Sequence, residues 1–193
     1  NMSVAGLTID YGPYAFMDNF DANNICNHTD HEGRYAYSNQ PHVAKWNLES
    51  LSTCFSALIS ENRLQDYLDS FFHMQDNEYL KIMQNKLGLD DKFSMDSNRS
   101  LITHLIGTLN SSNIDYTLFF NHISSFKFEE IIELCMYKKP MEEWLELYKK
   151  ELEKQDKAKD EISKNMKKVN PKYVLKNYMI QEAIDKAKNG DFT

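Results

Sequence analysis

Residues 61–88 read ENRLQDYLDSFFHMQDNEYLKIMQNKLG, and this stretch decides the fold class of the chain. Its apolar side chains recur at i, i+3, i+4, i+7 and i+8, the spacing that lines one face of an α-helix; they are Leu64, Tyr67, Leu68, Phe71 and Phe72. Gly88 follows at a position where glycine typically ends a helix, because it adopts a positive φ without steric cost. The stretch predicts a long amphipathic helix.

The same pattern precedes this stretch. Pro41 suits the first turn of a helix, where a missing backbone N–H costs nothing. An apolar face then runs through Ala44, Leu48, Leu51, Phe55 and Leu58. Helical spacing alone explains these aromatic and aliphatic residues, so we interpret them as core residues and not as a cofactor site.

Helical patterns also follow it. Shorter helices are predicted over residues 99–110, 115–124 and 128–138. Pro140 begins another helix, whose apolar face consists of Met141, Trp144, Leu145, Tyr148 and Leu152. Residues 155–168 carry almost no apolar stripe, which indicates a charged linker or a solvated helix, and a last helix follows Asn170-Pro171. The sequence therefore predicts a mainly α chain.

Composition narrows the classes of function. The 193 residues are 41% hydrophobic, enough for a real core, and carry a net charge of −7. Residues 137–193 hold 14 basic and 11 acidic residues, but their lysines alternate with Glu and Asp, so we expect no nucleic-acid partner. No long apolar run or signal-like segment is present, so we expect no membrane partner.

The three cysteines are widely spaced and odd in number; they are Cys26, Cys54 and Cys135. This usage is typical of a reducing compartment and favours a cytoplasmic, bacterial-type location. Cys54 and Cys135 lie on apolar faces and are expected to be buried as small hydrophobic residues.

The chemistry of the chain is concentrated in residues 1–40, and residues 41–193 form the helical part. A short apolar strand, residues 7–9, is followed by Asp10-Tyr11-Gly12, the pattern of the DFG element that holds the metal ion of ATP in kinase-like folds. Mg²⁺ prefers hard oxygen ligands such as a carboxylate and an amide carbonyl. Asn1 would supply the amide oxygen if the two segments pair as a hairpin.

Two other interpretations of these residues remain open. Asp10 could be an ordinary turn residue that caps its own backbone, because Asp-x-Gly turns are common. Cys26, His28 and His31 are residue types that bind zinc, although their spacing is irregular and no fourth ligand follows. We favour instead a loop at the activation-segment position, ordered by polar side chains that include Arg34, Asn39 and Gln40.

The wider sequence resembles a known family. Residues 1–21, NMSVAGLTIDYGPYAFMDNFD, and residues 25–48, ICNHTDHEGRYAYSNQPHVAKWNL, closely resemble the selenoprotein O family, also called YdiU or UPF0061. A second block, NPKYVLKNY at residues 170–178 with GDF at residues 190–192, is similar to the family's late helix. Family members are pseudokinase-fold enzymes that transfer AMP from ATP to protein hydroxyls.

The resemblance implies specific roles. Asn1 matches the metal-binding Asn of the family, and Asp10 matches the Asp that binds metal and nucleotide. The family's catalytic base is an Asp immediately before that Asn, so no catalytic base is expected in this chain. Cys26 is a possible redox residue, given the Cys or selenocysteine in the family's C-terminal tail.

The resemblance also implies an architecture and partners. Residues 1–40 would hold the DFG-like metal element and an activation-segment-like loop, with a short β-hairpin-like start. Residues 41–193 would form the helical C-lobe of a protein-kinase-like fold. The chain begins with Asn1 and lacks the family's upstream ATP-binding segments, so we expect a fragment that is inactive alone. The intact enzyme would use ATP, Mg²⁺ or Mn²⁺, and protein Ser, Thr or Tyr hydroxyls.

Two alternative functions remain, one of them from another class. The DFG-like element is shared with kinase-like phosphotransferases, so a phosphotransferase that acts on a small molecule is a second enzyme hypothesis. A helical protein-interaction module, in which Asp10-Tyr11-Gly12 is a plain turn, needs no nucleotide chemistry. The oligomeric state is not indicated by the sequence.

Overall fold

A computed structural model describes residues 3, 5, 7, 16–90 and 95–192. In these ranges the chain is mainly helical, as the periodicity predicted, and no β-strand is formed. The helices are α1 (Gln40–Ser52), α2 (Glu61–Leu87), α3 (Met95–Ser112), α4 (Tyr116–Ile123), α5 (Phe128–Leu134), α6 (Lys138–Glu153), α7 (Lys159–Val169) and α8 (Asn177–Lys188). The predicted strand and hairpin fall almost entirely outside the described residues. None of the described helices combines the length and apolar composition needed to cross a lipid bilayer.

The chain divides into two compact units. The first contains the described part of Ala22–Tyr79, which includes α1 and the first five turns of α2. The ring of His42 on α1 lies 5.1 Å from the ring of Phe72 on α2, and the Lys45 ammonium lies 5.1 Å from the same ring. These contacts pair the two helices through an aromatic side chain.

Most of the apolar residues predicted on helix faces in this unit lie in α1 or α2, but Phe55 and Leu58 follow the end of α1, and the faces are not buried as a core. α1 contains no buried residue, Leu58 is 82% exposed and Tyr67 is 58% exposed. A short 3-10 turn at Thr53–Phe55 interrupts the helical pattern before α2 begins. The expectation that Cys54 is buried is wrong, because it lies in this turn and is exposed. Periodicity specifies which residues share a face, whereas burial also needs a partner surface.

The second unit contains Phe16–Asp21 and the described residues from Leu80 onward, and it has a dense core. Trp144 and Tyr148 on α6 are fully buried and stack with ring centroids 5.1 Å apart. The rings of Phe119 on α4 and Trp144 pack in a T-shaped pair, and the Trp144 indole N–H donates to the Leu101 carbonyl on α3 over 3.0 Å. The predicted core face of α6 is therefore confirmed at Met141, Trp144, Leu145 and Tyr148.

The C-terminal end of α2 is held by three side chains from later in the chain. The last carbonyls of a helix have no partner within it, so they need donors from elsewhere. The Lys86 carbonyl accepts from Asn170 Nδ2 at 2.8 Å, the Leu87 carbonyl from the Tyr148 hydroxyl at 2.8 Å, and the Gly88 carbonyl from a glutamine amide at 3.2 Å. Gly88 itself has φ +64°, which confirms it as the residue that ends α2.

Most of the charged stretch at residues 155–168 forms α7, and this helix contributes two side chains to the core. Most of its side chains are exposed, as the composition indicated, but Ile162 and Met166 are buried. They pack over Gly88, where the absence of a side chain lets α7 approach closely.

α5 is shorter than the sequence predicted, and a buried cysteine follows it. The helix ends at Leu134, four residues before the predicted limit, because Cys135 adopts an extended backbone. Cys135 is buried, as predicted, and its thiol donates to the Ile131 carbonyl. Burial raises the pKa of this thiol, which keeps it protonated at neutral pH.

Candidate functional site

The loop at residues 22–39, in the first unit, is organised around one carboxylate. Asp30 Oδ2 accepts the backbone N–H of Tyr35 at 2.7 Å, and Oδ1 accepts that of Arg34 at 3.0 Å. These hydrogen bonds, that of Tyr35 foremost, hold the pKa of the Asp30 carboxyl below its usual range. Gly33, which lies between Asp30 and Arg34, adopts φ +73°, so the chain turns back on the carboxylate. The ionised form of Asp30 thus fixes the turn.

Two amide side chains connect this turn to the start of α1. Asn39 Nδ2 donates to the Arg34 carbonyl at 2.6 Å, and Gln40 Nε2 donates to the Tyr35 carbonyl at 2.6 Å. The guanidinium of Arg34 lies 4.5 Å from the ring centroid of Trp46 on α1. The polar residues that the sequence assigned to loop ordering therefore do order it: Asn39 and Gln40 bond to backbone carbonyls, and Arg34 contacts an aromatic ring.

The cysteine and histidines of this loop are not assembled into a metal site. Among the described residues, no group of three His, Cys, Asp or Glu side chains lies close enough to hold one ion. The zinc interpretation of Cys26, His28 and His31 therefore has no geometric support. Cys26 is partly buried, and nothing in the described chain tests the redox role proposed for it.

The two metal ligands implied by the resemblance, Asn1 and Asp10, lie outside the described residues. The chemistry of the pair still suits a divalent cation, because a carboxylate and an amide carbonyl are hard oxygen donors. The described chain resumes at Phe16, six positions after Asp10. From Phe16 onward, the contacts that hold the chain in place are described.

That segment, residues 16–20, is named here the anchor segment, and it lies in the second unit. Asn177, the first residue of α8, bonds to both backbone groups of Phe16: Oδ1 accepts the N–H at 3.1 Å and Nδ2 donates to the carbonyl at 2.8 Å. At the other end, the Phe20 N–H donates to the Ile114 carbonyl at 3.0 Å, and Asn19 forms an isolated antiparallel bridge with Asp115.

Lys176 contacts the anchor segment between these two points of attachment. Lys176 Nζ pairs with Asp115 Oδ2 at 2.6 Å, and it also lies 3.4 Å from the Asp18 carbonyl oxygen. The Lys176 and Asp115 side chains are only 13% and 17% exposed, so solvent screens this pair less than a surface ion pair. Asp115 Oδ1 also caps α4 by accepting the Leu118 N–H at 2.9 Å. The start of α4 and the start of α8 are thus joined at the anchor segment.

Sequence reasoning did not identify Lys176, Asn177 or Asp115 as site residues. The NPKYVLKNY block that contains two of them carries part of the resemblance, but no local pattern connects it to residues 16–20. The contact between Asn177 and Phe16 spans 161 positions. Only the spatial arrangement could reveal it.

The comparisons with known proteins match the chain over its whole length. The family model described as "Protein adenylyltransferase SelO" matches residues 1–193. The chain is 37% identical to a "Protein nucleotidyltransferase YdiU" of Pseudomonas aeruginosa (strain LESB58), with all of this chain and 40% of the relative covered. It is 38% identical to the protein of that name from Vibrio parahaemolyticus, with all of this chain and 41% of the relative covered.

A third relative extends the same result. The protein of the same name from Photobacterium profundum is 39% identical, with all of this chain and 40% of the relative covered. The chain thus spans about two fifths of the length of these curated relatives. Because the family model covers every residue, the chain belongs to the SelO protein adenylyltransferase family.

Proposed function

We propose that this chain is the helical portion of a protein adenylyltransferase, which transfers AMP from ATP to hydroxyl groups of proteins. The observation that carries the proposal is the joining of the two resembling blocks at the anchor segment. Asn177, from the later block, binds the backbone of Phe16, in the earlier block, so the segment after Asp10 is fixed by the helix that resembles the family's late helix.

The proposed reaction follows from the chemistry of ATP. A Ser, Thr or Tyr hydroxyl oxygen of the protein substrate forms a bond to the α-phosphorus. The bond between the α-phosphorus and the α–β bridging oxygen breaks, pyrophosphate leaves, and a carboxylate base accepts the hydroxyl proton. A bound divalent cation would neutralise phosphate charge. Asp10 and Asn1 would hold that cation, since the resemblance assigns them as its ligands.

The proposed architecture is the C-lobe of a kinase-like fold. The mainly helical character and the long helix α2 support it. In this arrangement the loop at residues 22–39 corresponds to an activation segment, and its ordering by Asp30 would keep it in one conformation near the substrate. The base implied by the family precedes Asn1, so residues 1–193 alone are expected to transfer no AMP.

The test uses the full-length gene product and ATP labelled at the α-phosphate. Asp10→Ala should abolish the transfer of label to protein, while Asp185→Ala, which removes an exposed carboxylate of α8, should leave it intact. Undiminished transfer by Asp10→Ala would refute the assignment. Transfer of a γ-label instead would identify a phosphotransferase, and the absence of metal-dependent ATP binding by calorimetry would identify an interaction module.

A further inference from the structure

Helix α8 carries an apolar face that is not buried. Its apolar residues recur at i, i+1, i+4, i+5 and i+8; they are Met179, Ile180, Ala183, Ile184 and Ala187. At about 100° per residue they span about 140° of the helix circumference, as in a helix that packs one side against a neighbour. No residue of α8 is buried, and Met179 and Ile184 are 40% and 44% exposed. These five residues are named here the α8 face.

We propose that the α8 face is a docking surface for an apolar segment of the same polypeptide that lies outside residues 1–193. The chain spans about two fifths of the length of the curated relatives it matches, so a protein of their length has further chain with which to cover this face. The inference rests on the part of the proposed function that makes this chain a portion of a longer enzyme.

The way α8 is attached explains why its apolar face is not used within the second unit. Asn177 bonds to the backbone of Phe16, and Lys176 pairs with Asp115, so both contacts lie at the start of the helix and both are polar. A helix of 12 residues is marginally stable alone and is normally stabilised by packing of its apolar side. Attachment at one end therefore leaves the packing of the α8 face to another surface.

The α8 face borders a groove with room for side chains of a docked segment. The groove has a volume of about 420 Å³, and Met179, Ala183, Ala187 and Phe192 supply its apolar lining. Ala183 and Ala187 are one turn apart, and their small side chains allow another backbone to approach closely. Phe192 is 85% exposed, so a segment in the groove would remove its ring from water. Charged side chains complete the lining, which is typical of the rim of an interface; they are Glu182, Lys186 and Asp191.

The size of the α8 face favours a covalently linked segment over a second copy of the chain. A helix of 12 residues is about 18 Å long, and a face about 10 Å wide gives a footprint of about 200 Å². A stable interface between separate proteins buries about 800 Å² on each partner. Two copies that met at this face alone would therefore separate, whereas a segment of the same polypeptide binds at an effective concentration in the millimolar range.

The charges of α8 argue against a lipid surface as the occupant. Helices that lie on membranes are rich in Lys and Arg on their polar side. The charged residues of α8 balance to zero; they are Glu182, Asp185, Lys186 and Lys188. The helix thus has the apolar face of a membrane-binding helix without the basic residues that would attract anionic lipids.

The experiment measures hydrogen exchange in the full-length gene product by mass spectrometry, without nucleotide. Ala183→Lys places an ammonium in the middle of the α8 face, where burial of an unpaired charge opposes docking. Exchange should become about tenfold faster or more in the peptide that contains residues 178–188 and in at least one peptide outside residues 1–193. The matched control is Gln181→Lys, which adds the same charge on the opposite side of α8, where Gln181 bonds to Asp185 at 2.8 Å. The control should accelerate exchange in neither peptide.

A second variant keeps the test decisive if Ala183→Lys does not fold. Ile184→Ala removes apolar surface from the α8 face without adding a charge, and it should accelerate exchange in the same two peptides to a smaller extent. Equal exchange of residues 178–188 in the wild type and in a folded face variant would overturn the inference. A reciprocal change confined to residues 1–193 would overturn it too, as would protection that rises with protein concentration while sedimentation shows a dimer. AMP transfer by the wild type tests the proposed function separately, because exchange is measured without ATP.

Discussion

The close approach of α7 to Gly88 allows a stability prediction with an internal control. Gly88 and Gly190 each follow the end of a helix with a positive φ, +64° and +79°. A Cβ at Gly88 would lie 2.5 Å from Ile162 Cγ2 and 3.0 Å from Met166 Cγ, whereas a Cβ at Gly190 would have no neighbour within 4 Å. The two glycines therefore share the backbone cost of substitution and differ in the packing cost.

The magnitudes follow from these contacts. Placing alanine in the left-handed region costs about 1–2 kcal/mol at either site. Overpacking adds about 1–3 kcal/mol at Gly88 alone. Met166 is flexible, but Ile162 is β-branched and stiff in a helix, so the clashing methyl group moves only if α7 moves. We expect Gly88→Ala to lower the free energy of unfolding by about 2–5 kcal/mol, and Gly190→Ala by no more than about 2 kcal/mol.

Urea unfolding followed by circular dichroism measures the difference between the two variants. A third variant isolates the clash: Ile162→Leu lacks the Cγ2 methyl group, so Gly88→Ala should cost less in that background than in the wild type. Equal unfolding midpoints for Gly88→Ala and Gly190→Ala, together with strict additivity in the double variant, would show that α7 does not lie against Gly88 as described.

Three further predictions concern polar contacts. Asn170→Ala, which removes a donor from the end of α2, should lower the free energy of unfolding by about 1–3 kcal/mol, while Asn165→Ala, on the exposed face of α7, should change it by less than about 0.5 kcal/mol in the same urea assay. Tyr148→Phe should cost about 1–2 kcal/mol, because a buried carbonyl loses its donor without loss of the stacked ring. The pKa of Asp30 is lowered in the folded chain, so its stabilisation of the loop should be complete above the ordinary carboxyl pKa of about 4 and be lost as the pH falls through the folded value. Protection of the Arg34 and Tyr35 amides against hydrogen exchange, measured by NMR, should show this loss. Asp30→Asn should remove the pH dependence. Protection in the wild type that persists well below the folded pKa would contradict the role given to this carboxylate.

The helices were predictable because their signal is local. In α6, the spacing of Met141, Trp144, Leu145 and Tyr148 defines a face, and the same four residues are buried. The burial predicted for Cys54 was wrong because the sequence pattern shows which residues share a face but not whether another surface covers that face. The charges of the stretch that forms α7 indicated a solvated element. Two apolar residues four positions apart are nevertheless enough to pack this helix against the chain, because the opposing residue is a glycine. That condition depends on Gly88, which is more than 70 positions away.

The polar ordering of the loop at residues 22–39 was predictable from its residue types, whereas the supports of the anchor segment were not. Asp10-Tyr11-Gly12 and the polar loop that follows have recognisable local chemistry. A buried leucine can be replaced by isoleucine or methionine at small cost, so the helices between the two resembling blocks leave little signature. Asn177 has no such substitute, because no other side chain of its size offers one amide acceptor and one amide donor to the same backbone residue. Asn177 thus belongs to a part of the sequence that carries the resemblance, and its contact, which demands these polar atoms, joins residue 16 to the start of α8.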